Sequence, residues 1–347
     1  MKMRKRLSCV LLSLLLAGGV VGCAPFSSEL KQSETYMDAF DTVSVITAYG
    51  VKTEQFSSDV TKLHDQLTAY HRLFDIYNSY PDINNLKTVN EHAGGEPVKV
   101  DSRIIDLLEY GLDAYKMTNG QVNIVFGAVL SLWHDTRTAG IADPQNATIP
   151  LATDLTTAAE HVSPDLLVID RAAGTVRLTD PRARLDVGAI AKGYVTEQLA
   201  RYAKEQLGWD SALLNIGGNI RAIGQKGRSK FTIGIQNPDT DSADPYVMTV
   251  KIADKSVVTS GDYQRYYEVD GGRYSHIIDT DTLYPATHMR AVSVICEDSG
   301  LADVLSTALF TMSVDEGMAL IEKTADAEAV WLLPSEIRYS SGFATYK

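Results

Sequence analysis

The sequence predicts an α+β fold. Short runs with an apolar period of two read as strands, and longer runs with apolar residues three and four apart read as helices. The two kinds are interleaved without the regular strand–helix alternation of a parallel α/β protein. No internal repeat or low-complexity tract breaks the 347 residues.

The N-terminus stands apart from this body. MKMRKR is a basic n-region, and the apolar run 7–21 is too short to span a bilayer comfortably, so the two together read as a signal peptide. Val20, Val21 and Gly22 precede Cys23 in the manner of a bacterial lipoprotein cleavage site, which makes Cys23 the expected lipidated first residue. An ordinary secretory signal with an incidental Cys is the alternative. Residues 1–22 are therefore expected to be a leader and 23–36, with their Ser, Gln and charge, a flexible tether. The folded body is expected over 37–347, outside the cytoplasm and lipid-anchored to the bacterial cell membrane.

Residues 1–22 hold four basic residues (Lys2, Arg4, Lys5, Arg6) and no acidic ones, so their removal takes the formal charge from −12 to −16. Nucleic acid is not an expected partner of so acidic a chain. Of the three cysteines, Cys9 lies in the leader and Cys23 is the lipid site, which leaves Cys296 without an intrachain disulfide partner. Cys296 ends the apolar run 291–295 and reads as a buried small hydrophobe in a strand.

Along the body, 41–49 alternates with β-branched residues and predicts a strand. Phe56, Val60, Leu63, Leu67, Tyr70 and Phe74 share one helical stripe in a segment ending near Tyr77. A second helix is expected over 102–117, capped by Asp101 or Ser102 and stopped by Asn119-Gly120. Segments 166–170 and 175–179 flank Ala172-Ala173-Gly174 as a hairpin, and 190–207 reads as a helix. Strands are expected at 213–216, 220–223, 231–236, 246–252, 265–269 and 274–278, with a turn at Asp270-Gly271-Gly272. Helices at 301–312 and 314–323 and strands at 329–333 and 343–346 close the chain.

Four runs carry chemistry. In DVGAIAKGY (186–194), Gly188 permits a tight backbone, and Lys192 sets a cation at a helix start suited to phosphate or to a carbonyl-bound metal. A packing solution with a solvated Lys fits the run as well. In LNIGGNIRAIG (214–224), paired glycines let a ligand approach or simply make a turn. VTSGDYQRYY (258–267) and YSHIID (274–279) place Thr259, Ser260, Asp262, Arg265, His276 and Asp279 on one hairpin and its flanks. A strand His is commonly structural, but His276 stands among hydroxyls and charges. In LADVLSTAL (301–309), Asp303 and Thr307 are four apart and share a helical face, so their oxygens converge on one hard cation; a carboxylate favoured by the helix dipole and a packed Thr is the plainer reading. Oxygen ligands suit magnesium, and no Cys/His cluster points to zinc.

Taken in order, these runs with MDAFDTVSVITAYG, the FDIY of 74–77 and VNIVFGAVLSLW resemble the ApbE family of FAD:protein FMN transferases from Met37 to about residue 320. The resemblance implies two packed subdomains of mixed, mostly antiparallel sheet, related to the T-fold, with FAD in the cleft between them. It places FAD contacts on Met37, Tyr77, Gln121, Val122, Asn123, Asp186, Lys192 and Ile278, and a Mg2+ site on the Ala189 carbonyl, Asp303 and Thr307. Asn123 stands where the family usually has Asp, and Asp38 and Ala189 where it often has Gly.

The reaction so implied is FMN transfer from FAD to a Ser or Thr of a secreted or membrane-bound redox protein, with release of AMP. His276 is expected to take the hydroxyl proton, with Asp279 or Asp262 orienting or recharging it. Asp303 is expected in an exposed cleft. The rival enzyme reading is FAD hydrolysis on the same residues, and the rival of another class is a non-catalytic flavin-binding lipoprotein.

Overall fold

The computed structural model describes residues 30–347. The leader and Cys23 lie outside the described residues. Of the tether, residues 31–36 are instead strand, because their polar side chains sit on an edge whose backbone pairs with the next strand.

In chain order the elements begin with β1 (Lys31–Ala39), β2 (Thr42–Tyr49), α1 (Thr53–Phe74), α2 (Leu86–Glu91), β3 (Val98–Lys99) and α3 (Ser102–Met117). Next come α4 (Gly127–Ala142), α5 (Ala152–Ala159), β4 (Leu167–Asp170), β5 (Thr175–Leu178) and α6 (Ala191–Glu205). Strands β6 (Ala212–Ile216), β7 (Asn219–Ile223), β8 (Phe231–Gln236), β9 (Tyr246–Ile252), β10 (Ser256–Gly261), β11 (Tyr266–Val269), β12 (Gly272–Ser275) and β13 (Ala291–Cys296) follow. The chain closes with α7 (Ser299–Thr311), α8 (Val314–Lys323), β14 (Glu328–Leu332) and β15 (Ile337–Tyr339).

Eight strands make one antiparallel sheet in the order β1-β2-β6-β7-β10-β13-β14-β15. Alternation assigns its faces. Val292, Val294 and Cys296 of β13 join the cluster under α7 and α8, while Ala291 and Ile295 join Phe231, Ile233 and Val250 of the β8–β9 hairpin on the opposite face. Cys296 is buried in its strand, as expected.

The largest cluster lies between α1, α3, α6 and the start of the sheet, where Leu63, Leu67, Leu107, Leu108, Leu199 and Ile216 are buried. A smaller body holds Phe126, Val129, Trp133, Leu155, Tyr267 and Ile278 beneath α4, α5 and the β11–β12 hairpin. The mixed α+β architecture of the sequence reading is therefore the observed one. No described helix is long and apolar enough to cross a membrane.

Local chemistry sets the ends that matter. Asp101 caps α3 by accepting from the Arg103 N–H at 2.9 Å. Asp298 caps α7 by accepting from the Leu301 N–H at 3.0 Å, which starts that helix two residues before the expected boundary. The strand expected at 274–278 stops at Ser275, so His276 sits just beyond β12 rather than on it. The strand expected at 343–346 is a single 3-10 turn.

Candidate active site

Helices α6 and α7 cross at Gly193. A Cβ there would lie 2.3 Å from Asp303 Cβ and 2.5 Å from the Ser299 carbonyl oxygen, so only glycine admits this approach. In an unbroken helix the Gly193 N–H would bond the Ala189 carbonyl. It donates instead to Asp303 Oδ2 at 2.7 Å, and the Ala189 carbonyl accepts no backbone hydrogen bond among the described residues.

Asp303 is not in an open cleft, as the sequence reading had it, but 5% exposed. Burial pushes its carboxyl up, and Lys192 and the Gly193 N–H pull it back. Its Oδ1 makes no hydrogen bond, and Thr307, one turn along α7, has none on its hydroxyl among the described residues.

These groups fit a magnesium ion. One carboxylate, one free carbonyl and one hydroxyl are hard oxygen donors, and Mg2+ commonly takes one or two carboxylates and completes its shell with water and substrate phosphate. A cation would also offset the desolvation of Asp303. Among the described residues no three His, Cys, Asp or Glu side chains gather as a metal site, and this set holds only one such side chain.

On the other side of Lys192 stands His276. Its backbone N–H donates to the Arg265 carbonyl at 3.0 Å, and its Nδ1 lies 3.1 Å from the same oxygen. Nδ1 is thus the protonated nitrogen, and Nε2 keeps a lone pair. Desolvation, then the charges of Arg265, Lys192 and Arg137, push the imidazolium down to about 3, so the ring is a neutral base.

Neither expected carboxylate partner reaches this ring. Asp262 pairs with Arg290 Nε at 2.8 Å, and Asp279 Oδ1 accepts the Asp281 N–H at 2.8 Å to close its own turn. The Arg265 carbonyl does the orienting that the sequence reading assigned to them.

Tyr77 projects because α1 ends at Phe74, three residues before the expected stop. The Asp75 carboxylate accepts the Tyr77 and Asn78 N–H groups at 2.6 and 3.0 Å and turns the chain outward. The exposed Tyr77 ring stacks on His134 of α4, with centroids 5.0 Å apart and planes at 28°. Desolvation and Asp186 push the Tyr77 hydroxyl up to about 12 against the pull of Arg137 and Arg265. Asp186 itself accepts the Gly188 N–H at 2.8 Å; desolvation raises its carboxyl while Gly188, His134, Arg137 and Lys192 oppose.

The remaining expected contacts divide. Met37 is 75% exposed at the end of β1 and available to a ligand, while the neighbouring Asp38 pairs with His64 at 2.9 Å. Gln121 reaches Asp281 at 2.9 Å, and its Oε1 is buried without a partner. Val122 and Ile278 point their side chains into apolar clusters, which leaves only their backbone for a ligand. Asn123 donates to the Val162 carbonyl and accepts from the Val125 N–H, both at 2.9 Å. An aspartate here would have no donor for the Val162 carbonyl.

His134 and Arg137 went unnoticed in the sequence. They follow VNIVFGAVLSLW directly, and three-residue spacing would have put them on one face had α4 been recognised as a helix.

The fold is an α+β one in which the α6–α7 crossing sets hard oxygen donors beside Lys192, with the neutral His276 on the other side of that lysine. The family model of ApbE matches residues 38–331, and the chain belongs to the ApbE family. It is 34% identical over 292 residues to the FAD:protein FMN transferase of Treponema pallidum, covering 81% of this chain and 79% of that one. It is 31% identical over 277 residues to a FAD:protein FMN transferase of Klebsiella pneumoniae, covering 78% and 83%. The crystal structure of the ApbE protein of Thermotoga maritima superposes with a TM-score of 0.79 at 25% identity, over 91% of this chain and 99% of that one. The flavin transferase ApbE of Vibrio cholerae shares the fold, with a TM-score of 0.77 at 22% identity.

Proposed function

We propose that the protein transfers FMN from FAD to a Ser or Thr hydroxyl of a partner redox protein and releases AMP, with Mg2+ as its cation. The observation that carries this reading is the neutral His276, locked by the Arg265 carbonyl with Nε2 free, beside Arg265, Lys192 and Arg137. The names of the curated relatives support it.

Ala189, Asp303 and Thr307 would hold the ion, which would supply neutralisation of the pyrophosphate charge. Lys192 faces both Asp303 and His276 and binds the same anion. The acceptor hydroxyl attacks the phosphorus on the riboflavin side. Its proton passes to His276 Nε2, the bridging P–O bond breaks, and AMP leaves with the bridging oxygen. Bringing the FAD phosphates among Arg265, Lys192 and Arg137 offsets the repulsion that holds the imidazolium down, so the base strengthens when substrate is bound.

The protein is further proposed to act outside the cytoplasm on a lipid anchor at Cys23. Cys23→Ser is expected to lose lipid label and membrane partition; a variant that partitions like wild type contradicts the anchor. For the reaction, purified protein with FAD and MgCl2 is expected to release AMP, and EDTA to stop it. No AMP with any divalent cation, in the presence of secreted redox proteins, would remove the enzyme reading.

A further inference from the structure

Several cationic side chains of this acid-rich chain pair with carboxylates. Arg171 pairs with Asp106 and Glu109, Arg221 with Glu197 and Arg290 with Asp262. Arg137, Lys192 and Arg265 do not. Among the described residues none of the three forms an ion pair. Like charges grouped together cost free energy that the nearby Asp186 carboxyl, itself disfavoured by burial, offsets in part, and an arriving anion recovers more of it.

Arg137 is the one of the three that is anchored for such a task. Its Nη2 donates to His134 Nδ1 at 3.3 Å, and that imidazole is stacked under the Tyr77 ring. Its helix is fixed on both sides of it. Trp133 Nε1 donates to the Leu283 carbonyl at 2.9 Å, and the Tyr267 hydroxyl lies 3.3 Å from Thr136 Oγ1. Gly140 lets the Tyr267 ring close on α4, since a Cβ there would lie 2.8 Å from the ring. The helix is thereby clamped to the β11–β12 hairpin, whose flanks carry Arg265 and His276. A guanidinium held by a neutral partner keeps its remaining N–H donors for a planar or tetrahedral oxyanion. Desolvation and Arg265 both weigh against its charge, as expected of a cation waiting for an anion.

We propose that Arg137, positioned by His134 and assisted by Arg265, is a binding residue for the pyrophosphate of the nucleotide substrate, additional to Lys192 and the cation site. This rests on the reading that the site takes FAD. It makes α4 part of the phosphate grip and gives the Tyr77–His134 stack a positioning role for that grip.

The test is calorimetric titration of FAD, ADP and riboflavin into wild type, Arg137→Gln and Arg137→Lys, in EDTA so that no metal contributes. Arg137→Gln is expected to weaken FAD and ADP by about tenfold or more and to leave riboflavin within about twofold. Arg137→Lys, which keeps the charge and loses the fork, should fall between. FAD affinity in wild type should decline more steeply with salt than in Arg137→Gln. Unchanged FAD and ADP affinity in Arg137→Gln overturns the assignment. So does an equal loss of riboflavin and FAD in both variants, which would make Arg137 a support for the aromatic stack alone. If wild type binds ADP but neither flavin, the FAD reading fails, while a loss of ADP in Arg137→Gln still upholds Arg137 as a phosphate ligand.

Discussion

The Gly193 N–H donates to Asp303 Oδ2 at 2.7 Å across 110 residues of sequence, and the same bond takes that N–H away from the Ala189 carbonyl. One contact therefore orients a carboxylate, releases a carbonyl and fixes the crossing of α6 and α7. The proposed cation site is a product of how two helices pack.

That coupling separates two substitutions at Asp303. Asp303→Asn keeps an acceptor for Gly193 and loses the charge, so its melting temperature should stay near wild type while the Mg2+ concentration for half-maximal turnover rises at least about tenfold. Asp303→Ala also strands the buried Gly193 N–H and should lose about 1–3 kcal/mol of stability. Thermal melts with Mg2+ titrations of turnover check both. Wild-type Mg2+ response in the Asn variant would place the ion elsewhere.

Glu197 holds the other side of the crossing. Its carboxylate, buried on α6, accepts Arg221 Nε at 2.9 Å and the Ser299 N–H at 3.0 Å. Glu197→Ala would leave a buried guanidinium without its carboxylate and a buried N–H without a partner, and should destabilise by about 3–5 kcal/mol in urea unfolding. A loss below about 1 kcal/mol would mean that water replaces the carboxylate.

His276 ties stability to pH. Its folded pKa, about 3, lies below its ordinary value of 6.5. Above about pH 6.5 neither folded nor unfolded chain protonates it, and its contribution is in place. As pH falls from 6.5 toward 3 the unfolded chain takes up a proton that the folded chain refuses, and stability is lost across that window. His276→Gln should flatten this part of the pH–stability curve, read as urea midpoints between pH 7 and 4. Parallel curves for wild type and variant would contradict the desolvated, neutral assignment.

The sequence was legible where local chemistry decides structure. Helix α3 has the expected bounds because Asp101 caps it and Asn119-Gly120 ends it. Strand β1 was read as tether because its residues are polar on both faces and only the pairing with β2 makes them strand. Helix α4 was passed over because it lacks a clear apolar stripe, and His134 and Arg137 were lost with it.

At the site, the residue types were readable and their pairings were not. Asp303 and Thr307 share a face by spacing alone. That Asp262 turns to Arg290 and Asp279 to its own turn, leaving His276 to a backbone carbonyl, depends on the folded position of the β11–β12 hairpin.

The most direct measurement of the proposed reaction follows FAD affinity and covalent flavin transfer together in wild type and His276→Ala. A secreted redox protein serves as acceptor, read by in-gel flavin fluorescence and by AMP released. Wild type should yield AMP and labelled acceptor in equal amounts. His276→Ala should bind FAD as tightly while transferring about a hundredfold more slowly. A variant that binds FAD normally and labels the acceptor at the wild-type rate would contradict His276 as the base, and AMP with free FMN and no labelled protein would contradict transfer itself.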